Sequence, residues 1–270
     1  MYPGTPVPLP TERMIARIDG AIGWMIFNSP ERRNAVSLEM WQAMPLILDA
    51  FEADPAVRVI ILRGAGGRAF VSGADISQFE EQRAAPEAIA RYDAIAAEAG
   101  RRLAATDKPT IAMIEGYCIG GGVGIAVGCD LRLAAEGAKF GVPATRLGLG
   151  YGPAGVKKLL DLVGPAHVKE IFYTARHFSA AEAQAMGLVN RVRPEADLEA
   201  YVRDYARMIA EGAPLTGRAV KRTVEELLRA SPEADFAFCE ALVAECFASA
   251  DYIEGRRAFM EKRRPAFTGR

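Results

Sequence analysis

Two short glycine-containing segments carry the residues best suited to chemistry in this chain. The first, residues 70–75, reads Phe-Val-Ser-Gly-Ala-Asp, and the second, residues 115–122, reads Glu-Gly-Tyr-Cys-Ile-Gly-Gly-Gly. Each follows an apolar run that predicts a strand, and the second leads into small residues that predict a helix. Glycine allows close approach to the backbone, so N–H groups from both segments could converge on one oxygen. That geometry is an oxyanion hole, which stabilises negative charge developing on a carbonyl oxygen.

The composition limits the class of protein that must position these segments. The chain has 270 residues, 50% of them hydrophobic, which suits one large domain or a core with an appendage. A net charge of −1 gives no general attraction to nucleic acid. The cysteines at 118, 129, 239 and 246 have no metal-binding spacing, and no run of about 18 apolar residues could span a membrane. We expect a cytoplasmic protein with reduced thiols, no signal peptide and no metal.

Strands and helices alternate through the first part of the chain. Residues 14–18 and 21–27 predict a strand pair around Asp19-Gly20, and Leu38 to Ala53 has helical periodicity with Ser37 as N-cap. Residues 57–63 form an almost continuous apolar run, as in a strand buried on both faces. Further strands are expected at 110–115, 131–134 and 139–141, with a helix at 88–105. Strands separated by helices predict a largely parallel sheet.

The pattern becomes helical after about residue 180. Helices are expected at 180–186, 198–211, 214–230, 233–250 and 252–264. We therefore predict an α/β core over residues 1–195 and a helical oligomerisation region over residues 196–270.

Residues 64–69 match the dinucleotide-binding pattern G-x-G-x-x-G/A, with Ala69 last. A nucleotide site needs a helix to begin at this point. Extended, turn-like residues follow instead, so we favour an ordinary loop and do not expect an NAD(P) enzyme.

Several segments together resemble the crotonase (enoyl-CoA hydratase/isomerase) superfamily over nearly the whole chain. Besides the two glycine segments, they are Pro-Glu-Arg-Arg-Asn-Ala-Val at 30–36, Cys-Asp-Leu-Arg at 129–132 and Glu-Gly-Arg-Arg-Ala-Phe-Met-Glu-Lys-Arg at 254–263. The resemblance implies a crotonase-like (ClpP/crotonase) ββα-spiral α/β core with a helical C-terminal part. It also implies a homotrimer or dimer of trimers.

The resemblance assigns roles to individual positions. The oxyanion N–H donors of the family match Ala74 and Gly121, and its substrate is a coenzyme A thioester that becomes an enolate. No cofactor other than the coenzyme A of the substrate is implied. The residues that match the family's coenzyme A contacts are Arg33, Ala35, Val36, Ser72, Ala74, Ile76, Phe259 and Lys262.

The chain departs from the family at two positions. Hydratases of the family carry one catalytic glutamate where this chain has Gly124, and a second where it has Ala144, in Phe-Gly-Val-Pro-Ala at 140–144. Adding water to a double bond requires a base for the water and an acid for the α-carbon. Glycine and alanine provide neither, so we predict slow hydration of simple enoyl-CoA substrates.

The C-terminal half resembles the methylmalonyl-CoA decarboxylase branch of the superfamily. The resemblance lies in residues 147–152, 168–175 and 251–255, and the active-site tyrosine of that branch matches Tyr151. Its histidine beside the oxyanion hole matches Ala74 and is missing here. Decarboxylation needs less acid–base machinery, because loss of CO₂ itself generates the enolate.

Other interpretations remain open for several of these residues. Tyr151 could equally fill a gap in its glycine-rich loop. Arg146 could hold a substrate carboxylate, although a surface ion pair is the better expectation. Glu80 and Glu81 could reach the acyl group, but solvated surface carboxylates are favoured.

The function predicted is that of an enoyl-CoA hydratase/isomerase-family enzyme, a lyase or isomerase, that stabilises an enolate. The alternatives are an acyl-CoA decarboxylase of the methylmalonyl-CoA type and a non-catalytic protein that binds CoA thioesters. Exchange of the α-proton of a bound acyl-CoA would distinguish catalysis from binding.

Overall fold

The computed structural model of the chain describes residues 2–75, 86–147, 151–229 and 235–270. For residues 86–90, 147, 236 and 259 it describes the backbone alone.

A seven-stranded sheet forms the centre of the described fold. Its strands, in spatial order, are β1 (Thr5–Val7), β2 (Met14–Asp19), β3 (Ile22–Phe27), β4 (Val59–Gly64), β6 (Thr110–Ile114), β8 (Leu131–Ala135) and β11 (Arg191–Arg193). The first three strands pair antiparallel, and every pair from β3 to β11 is parallel.

A second sheet of four strands lies beside the first, in the order β10-β9-β7-β5. Its strands are β5 (Ala69–Val71), β7 (Tyr117–Ile119), β9 (Lys139–Gly141) and β10 (Phe178–Ser179). β5, β7 and β9 run parallel, and β10 joins β9 antiparallel. Both glycine segments continue from strands of this sheet, since one follows β5 and the other follows β7.

Ten helices are described. They are α1 (Leu38–Ala53), α2 (Pro86–Ala105), α3 (Gly121–Val127), α4 (Ala144–Leu147), α5 (Pro153–Thr174), α6 (Ala180–Ala185), α7 (Glu195–Ala210), α8 (Pro214–Leu227), α9 (Phe236–Ala248) and α10 (Ala250–Glu261). The Ser37 side chain accepts a hydrogen bond from the Met40 N–H at the start of α1, so the predicted cap is confirmed.

The two sheet faces bury separate hydrophobic clusters. The larger lies between the sheets and includes Phe27, Phe51, Phe70 and Phe140. The smaller joins strands β3, β4 and β6 to one face of α7 through Leu198, Val202 and Ala206. α7 therefore covers the outer face of the seven-stranded sheet.

The chain after α7 continues as helices and ends in a short tail. The buried Asp251 carboxylate accepts hydrogen bonds from the backbone N–H groups of Thr268 (2.6 Å) and Gly269 (2.8 Å). The Arg58 guanidinium donates to the Phe267 carbonyl at 2.9 Å. The tail thus links α10 to the start of β4. The domain boundary at residue 195 stays a prediction.

Residues 64–69 form a turn between β4 and β5, with Gly66 and Gly67 at φ of 79° and 68°. The predicted loop is confirmed. The long helix α5 and the short strands β10 and β11 were not predicted.

Candidate active site

The backbone of the first glycine segment is held by a single parallel bridge to residues 33–36. The Val36 N–H donates to the Gly73 carbonyl at 2.8 Å, and the Asp75 N–H donates to the Val36 carbonyl at 3.0 Å. In a parallel ladder, one residue hydrogen-bonds to the two residues that flank the residue opposite it, and the N–H of that opposite residue points away. Ala74 is the residue opposite Val36. Its N–H has no acceptor among the described residues.

The second segment turns sharply from strand into helix. Gly120 has φ of 54°, which favours glycine, and its N–H donates to the Gly141 carbonyl at 2.8 Å. α3 begins at the next residue, and no side chain caps it. The first N–H groups of a helix lack partners within the helix. The Gly121 N–H is one of these, and within the described part of the chain it has no acceptor.

The two segments lie against each other. A Cβ placed on Gly121 would be 3.9 Å from the Ala74 nitrogen and 3.8 Å from the Gly73 carbonyl carbon. A Cβ on Gly122 would lie 2.2 Å from the Val71 carbonyl oxygen, so only glycine lets α3 pack this closely on β5. Two partnerless N–H groups are therefore held side by side, as an oxyanion hole requires.

The two positions where hydratases of the resembled family carry glutamates differ in their surroundings. Gly124 is exposed, and no atom of the described residues lies within 4 Å of a Cβ added there. Ala144, the first residue of α4, is buried, with 4% of its surface exposed. A longer side chain at 124 has room, whereas one at 144 displaces packed neighbours.

Asp75, the carboxylate next to Ala74 in sequence, is engaged in ion pairs. Its oxygens accept from Arg32 Nη1 at 2.9 and 3.2 Å, and Arg13 Nη1 lies 3.6 Å away. Its side chain is 5% exposed. The residues that follow it, 76–85, lie outside the described part of the chain. The ion pairs attach the oxyanion segment to residues 13 and 32.

Tyr151 is positioned by α5. Its ring meets the edge of Phe172 at 4.9 Å between centroids, with the planes at 69°. Tyr151 is 37% exposed, and partial desolvation of its hydroxyl raises the pKa of this group, which therefore stays protonated at neutral pH. The hydroxyl has no hydrogen-bond partner among the described residues, which leaves it free to donate to a ligand.

Five of the eight predicted coenzyme A contacts come together. Arg33, Ala35 and Val36 run beside Ser72 and Ala74. The Ser72 N–H donates to the Arg33 carbonyl at 3.2 Å, and Ala74 forms a bridge with Val36. Arg33 has φ of 53°, and its guanidinium lies 5.3 Å from the centre of the Tyr117 ring.

The remaining predicted coenzyme A contacts, and the other candidate residues from the sequence, are placed differently. Ile76, Glu80 and Glu81 lie outside the described residues, as does the side chain of Phe259. Lys262 follows α10, is exposed, and makes no hydrogen bond or ion pair in the described part of the chain. Arg146 is exposed at the end of α4.

Asn34 supports the site and was missed by the sequence analysis. It is fully buried, and its Nδ2 donates to the carbonyls of Ala65 (3.0 Å) and Ala69 (2.8 Å). Its Oδ1 accepts from the Ser29 N–H at 2.9 Å. Asn34 thereby joins residues 33–36 to the strand that leads into the oxyanion segment. No local sequence signal distinguishes it from an ordinary turn asparagine.

Other kinds of catalytic centre find no support in the described residues. No three His, Cys, Asp or Glu side chains there are grouped to hold a metal. All four cysteines are free thiols, and burial raises the pKa of Cys129 to about 12, which disfavours a thiolate nucleophile. No helix in the described part of the chain is long and apolar enough to cross a membrane.

Comparison with known proteins identifies the family. The family model described as enoyl-CoA hydratase/isomerase matches residues 17–270. The short-chain-enoyl-CoA hydratase of Clostridium acetobutylicum is 32% identical over 251 residues, covering 93% of this chain and 95% of the relative. The crotonyl-CoA hydratase of Syntrophomonas wolfei is 34% identical over 256 residues, covering 95% and 98%.

The solved structures agree. The crystal structure of an enoyl-CoA hydratase/carnithine racemase from Magnetospirillum magneticum superimposes with a TM-score of 0.90 at 37% identity, covering 96% of this chain and 97% of that one. The chain therefore belongs to the enoyl-CoA hydratase/isomerase family of the crotonase superfamily. The predicted superfamily and crotonase-like α/β fold are confirmed, and the family supports an enzyme that acts on acyl-CoA.

Proposed function

We propose that the protein binds an acyl-CoA thioester and stabilises its enolate with the N–H groups of Ala74 and Gly121. The observation that carries this proposal is the placement of these two partnerless N–H groups side by side. A thioester carbonyl in the hole would accept both hydrogen bonds, which strengthen as the oxygen gains negative charge. Differential stabilisation of this kind lowers the barrier to forming an enolate.

Hydration of a simple enoyl-CoA is proposed to be slow. Gly124 and Ala144 have no ionisable group, and the Asp75 carboxylate is held by Arg32 and Arg13. Tyr151 is the proposed proton donor, since its neutral hydroxyl can protonate a carbanion but is a poor base for water.

Coenzyme A is proposed to lie along residues 33–36 and 72–76. The resemblance assigns the adenine end of coenzyme A to the backbone of these two segments, and the contact with its phosphates to Phe259 and Lys262. No further cofactor is proposed. The proposed compartment is the cytoplasm, in keeping with four free thiols.

The deciding experiment is exchange of the α-protons of butyryl-CoA in D₂O, followed by NMR. Exchange requires the oxyanion hole, a base that removes the α-proton, for which Glu80 and Glu81 are the candidates from the sequence, and a donor that returns a deuteron. Because Tyr151 is the proposed donor, we expect exchange with the wild-type protein and slower exchange with Tyr151→Phe. Saturable binding of butyryl-CoA without exchange would support a non-catalytic binding protein instead.

Decarboxylation is the second candidate. It is favoured by the absence of ionisable groups at 124 and 144, because loss of CO₂ creates the enolate without a base. Release of CO₂ from methylmalonyl-CoA, with no exchange on butyryl-CoA, would select an acyl-CoA decarboxylase. Absence of CO₂ release from malonyl-CoA and methylmalonyl-CoA would exclude it.

A further inference from the structure

Arg132 is a buried cation at the C-terminal end of α3, the helix that begins with Gly121. Only 3% of its surface is exposed. Its Nη1 donates to the carbonyls of Cys129 (2.7 Å) and Ala126 (3.4 Å), and its Nε donates to the Leu188 carbonyl at 2.7 Å. These carbonyls lie in or just after the last turn of α3 and in the segment before β11.

No carboxylate forms an ion pair with this guanidinium in the described part of the chain, although the nearby Asp130 carboxylate favours its charge. The nearest acidic residue in sequence, Asp130, offers Arg132 its backbone carbonyl at 3.5 Å. The Asp130 carboxylate instead accepts from Thr110 Oγ1 and Lys221 Nζ, both at 2.9 Å. The fifth partner of the guanidinium is a neutral amide, since Asn190 Oδ1 lies 3.5 Å from Arg132 Nη2.

The guanidinium should keep its charge in this setting. Burial lowers the pKa of Arg132, but an arginine side chain starts so far above neutrality that it remains protonated in proteins. A buried cation commonly has an anionic partner. Here backbone carbonyl dipoles take that role, so the net positive charge of the group persists inside the protein.

We propose that Arg132 is a positioning residue for the oxyanion hole, holding α3 from its C-terminal end and adding a positive field where the enolate oxygen forms. This inference rests on the proposed function.

The geometry gives the size of the effect. α3 rises about 1.5 Å per residue, which puts the guanidinium about 11 Å behind the Gly121 N–H. At an effective dielectric constant of about 20, a unit charge at that distance favours an anion by about tenfold. One oxyanion donor supplies about 10²–10³-fold. Expressed as free energy, the contribution of Arg132 should therefore be about a fifth of the contribution of the two N–H groups.

Asn190→Asp tests the charge with little change in shape. The new carboxylate can still accept from the Arg132 backbone N–H, which now bonds Asn190 Oδ1 at 2.8 Å. It also pairs with the guanidinium and cancels its field, while the cap on α3 remains. Gln184→Glu is the matched control, because it adds the same charge at an exposed residue of α6 that contacts Asn190 only at its backbone carbonyl, at 3.4 Å, and does not contact Arg132.

The measurement is the infrared frequency of butyryl-CoA labelled with ¹³C at the thioester carbonyl. Binding to the wild-type protein should lower this frequency. The lowering should shrink by about a fifth in Asn190→Asp and in Arg132→Met, and survive in Arg132→Lys and Gln184→Glu. If Arg132→Met does not fold, Asn190→Asp alone decides.

The outcomes separate the two ideas. One result would be a carbonyl frequency that falls by the same amount in Asn190→Asp and Arg132→Met as in the wild type. That result would make Arg132 a purely structural residue and overturn this inference, while the oxyanion hole stands. A bound butyryl-CoA whose carbonyl frequency does not fall in the wild type would overturn the proposed function, and this inference with it.

Discussion

At the scale of single residues, the proposed stabilisation of an enolate depends on backbone groups more than on side chains. The Ala74 N–H is available because Val36 bonds to Gly73 and Asp75 on either side of it. The Gly121 N–H is available because it opens a helix. Side-chain substitutions at 124 and 144 leave both groups in place.

Ala74→Pro should remove one oxyanion donor without removing any backbone hydrogen bond described for Ala74. Proline has no N–H, and the Ala74 N–H is not part of the bridge to Val36. We expect α-proton exchange on butyryl-CoA to fall by about 10²–10³-fold. The control is Ala74→Ser, which keeps the N–H. Equal exchange rates in the proline and serine variants, with both proteins folded, would exclude the Ala74 N–H from the oxyanion hole.

Gly124→Glu combined with Ala144→Glu should raise hydration of crotonyl-CoA. One general acid–base group contributes about 10²–10⁴-fold, and position 124 has open space, although 144 is buried and must repack. The control has glutamine at both positions, with the same volume and no ionisable group. A wild-type rate equal to that of a two-glutamate family member would contradict the account and point to another base.

At the scale of elements, α3 joins the small sheet to the candidate site. Its N-terminal turn packs on β5 through Gly122, and its C-terminal end is held by Arg132. The glycines of this helix therefore have different reasons to be present. Gly122 is required by a close backbone contact, whereas a Cβ at Gly124 would meet no neighbour among the described residues.

A pair of alanine substitutions should separate these two reasons. Gly124→Ala adds no contact and reduces the freedom of the unfolded chain, so the free energy of unfolding should rise by about 0.5–1 kcal/mol. Gly122→Ala places a Cβ 2.2 Å from the Val71 oxygen and should lower the free energy of unfolding by about 2–3 kcal/mol. Urea unfolding measures both. Equal effects would mean that α3 does not pack on β5 as described.

At the scale of the whole molecule, the C-terminal helices leave apolar surface uncovered. α8, α9 and α10 line a groove of about 1040 Å³. Val224, Phe247, Ile253 and Met260 are large apolar side chains that remain exposed on these helices. Contiguous apolar surface of this kind marks an interaction site. A second copy of the chain is the proposed occupant, in a trimer or a dimer of trimers.

Sedimentation should therefore detect a trimer or hexamer at micromolar concentration. Val224→Asp should dissociate it, because a charge buried in an apolar interface is costly. The matched control is Leu46→Asp on α1, since Leu46 and Val224 are each 49% exposed. A monomeric wild-type protein, or an assembly unaffected by Val224→Asp, would contradict this use of the groove.

Features that depend on residues close together in the chain could be predicted from the amino-acid sequence. Ser37 before a helical apolar pattern predicted α1 and its cap. The continuous apolar run before Gly64 predicted a buried parallel strand, and the order of the glycine segments predicted the superfamily. These signals are local, because caps, periodicity and turns involve residues close together in the chain.

Contacts between groups that are distant in the sequence are seen only in the folded structure. Asn34 reaches carbonyls on another element at Ala65 and Ala69. Arg132 bonds Leu188, and Ala74 lies beside Gly121. Arg132 belongs to β8, whose other residues are apolar, yet its guanidinium lies at the C-terminal end of α3. Such contacts arise when the two sheets and α3 pack together, and no spacing along the chain encodes which buried carbonyl a given side chain will find.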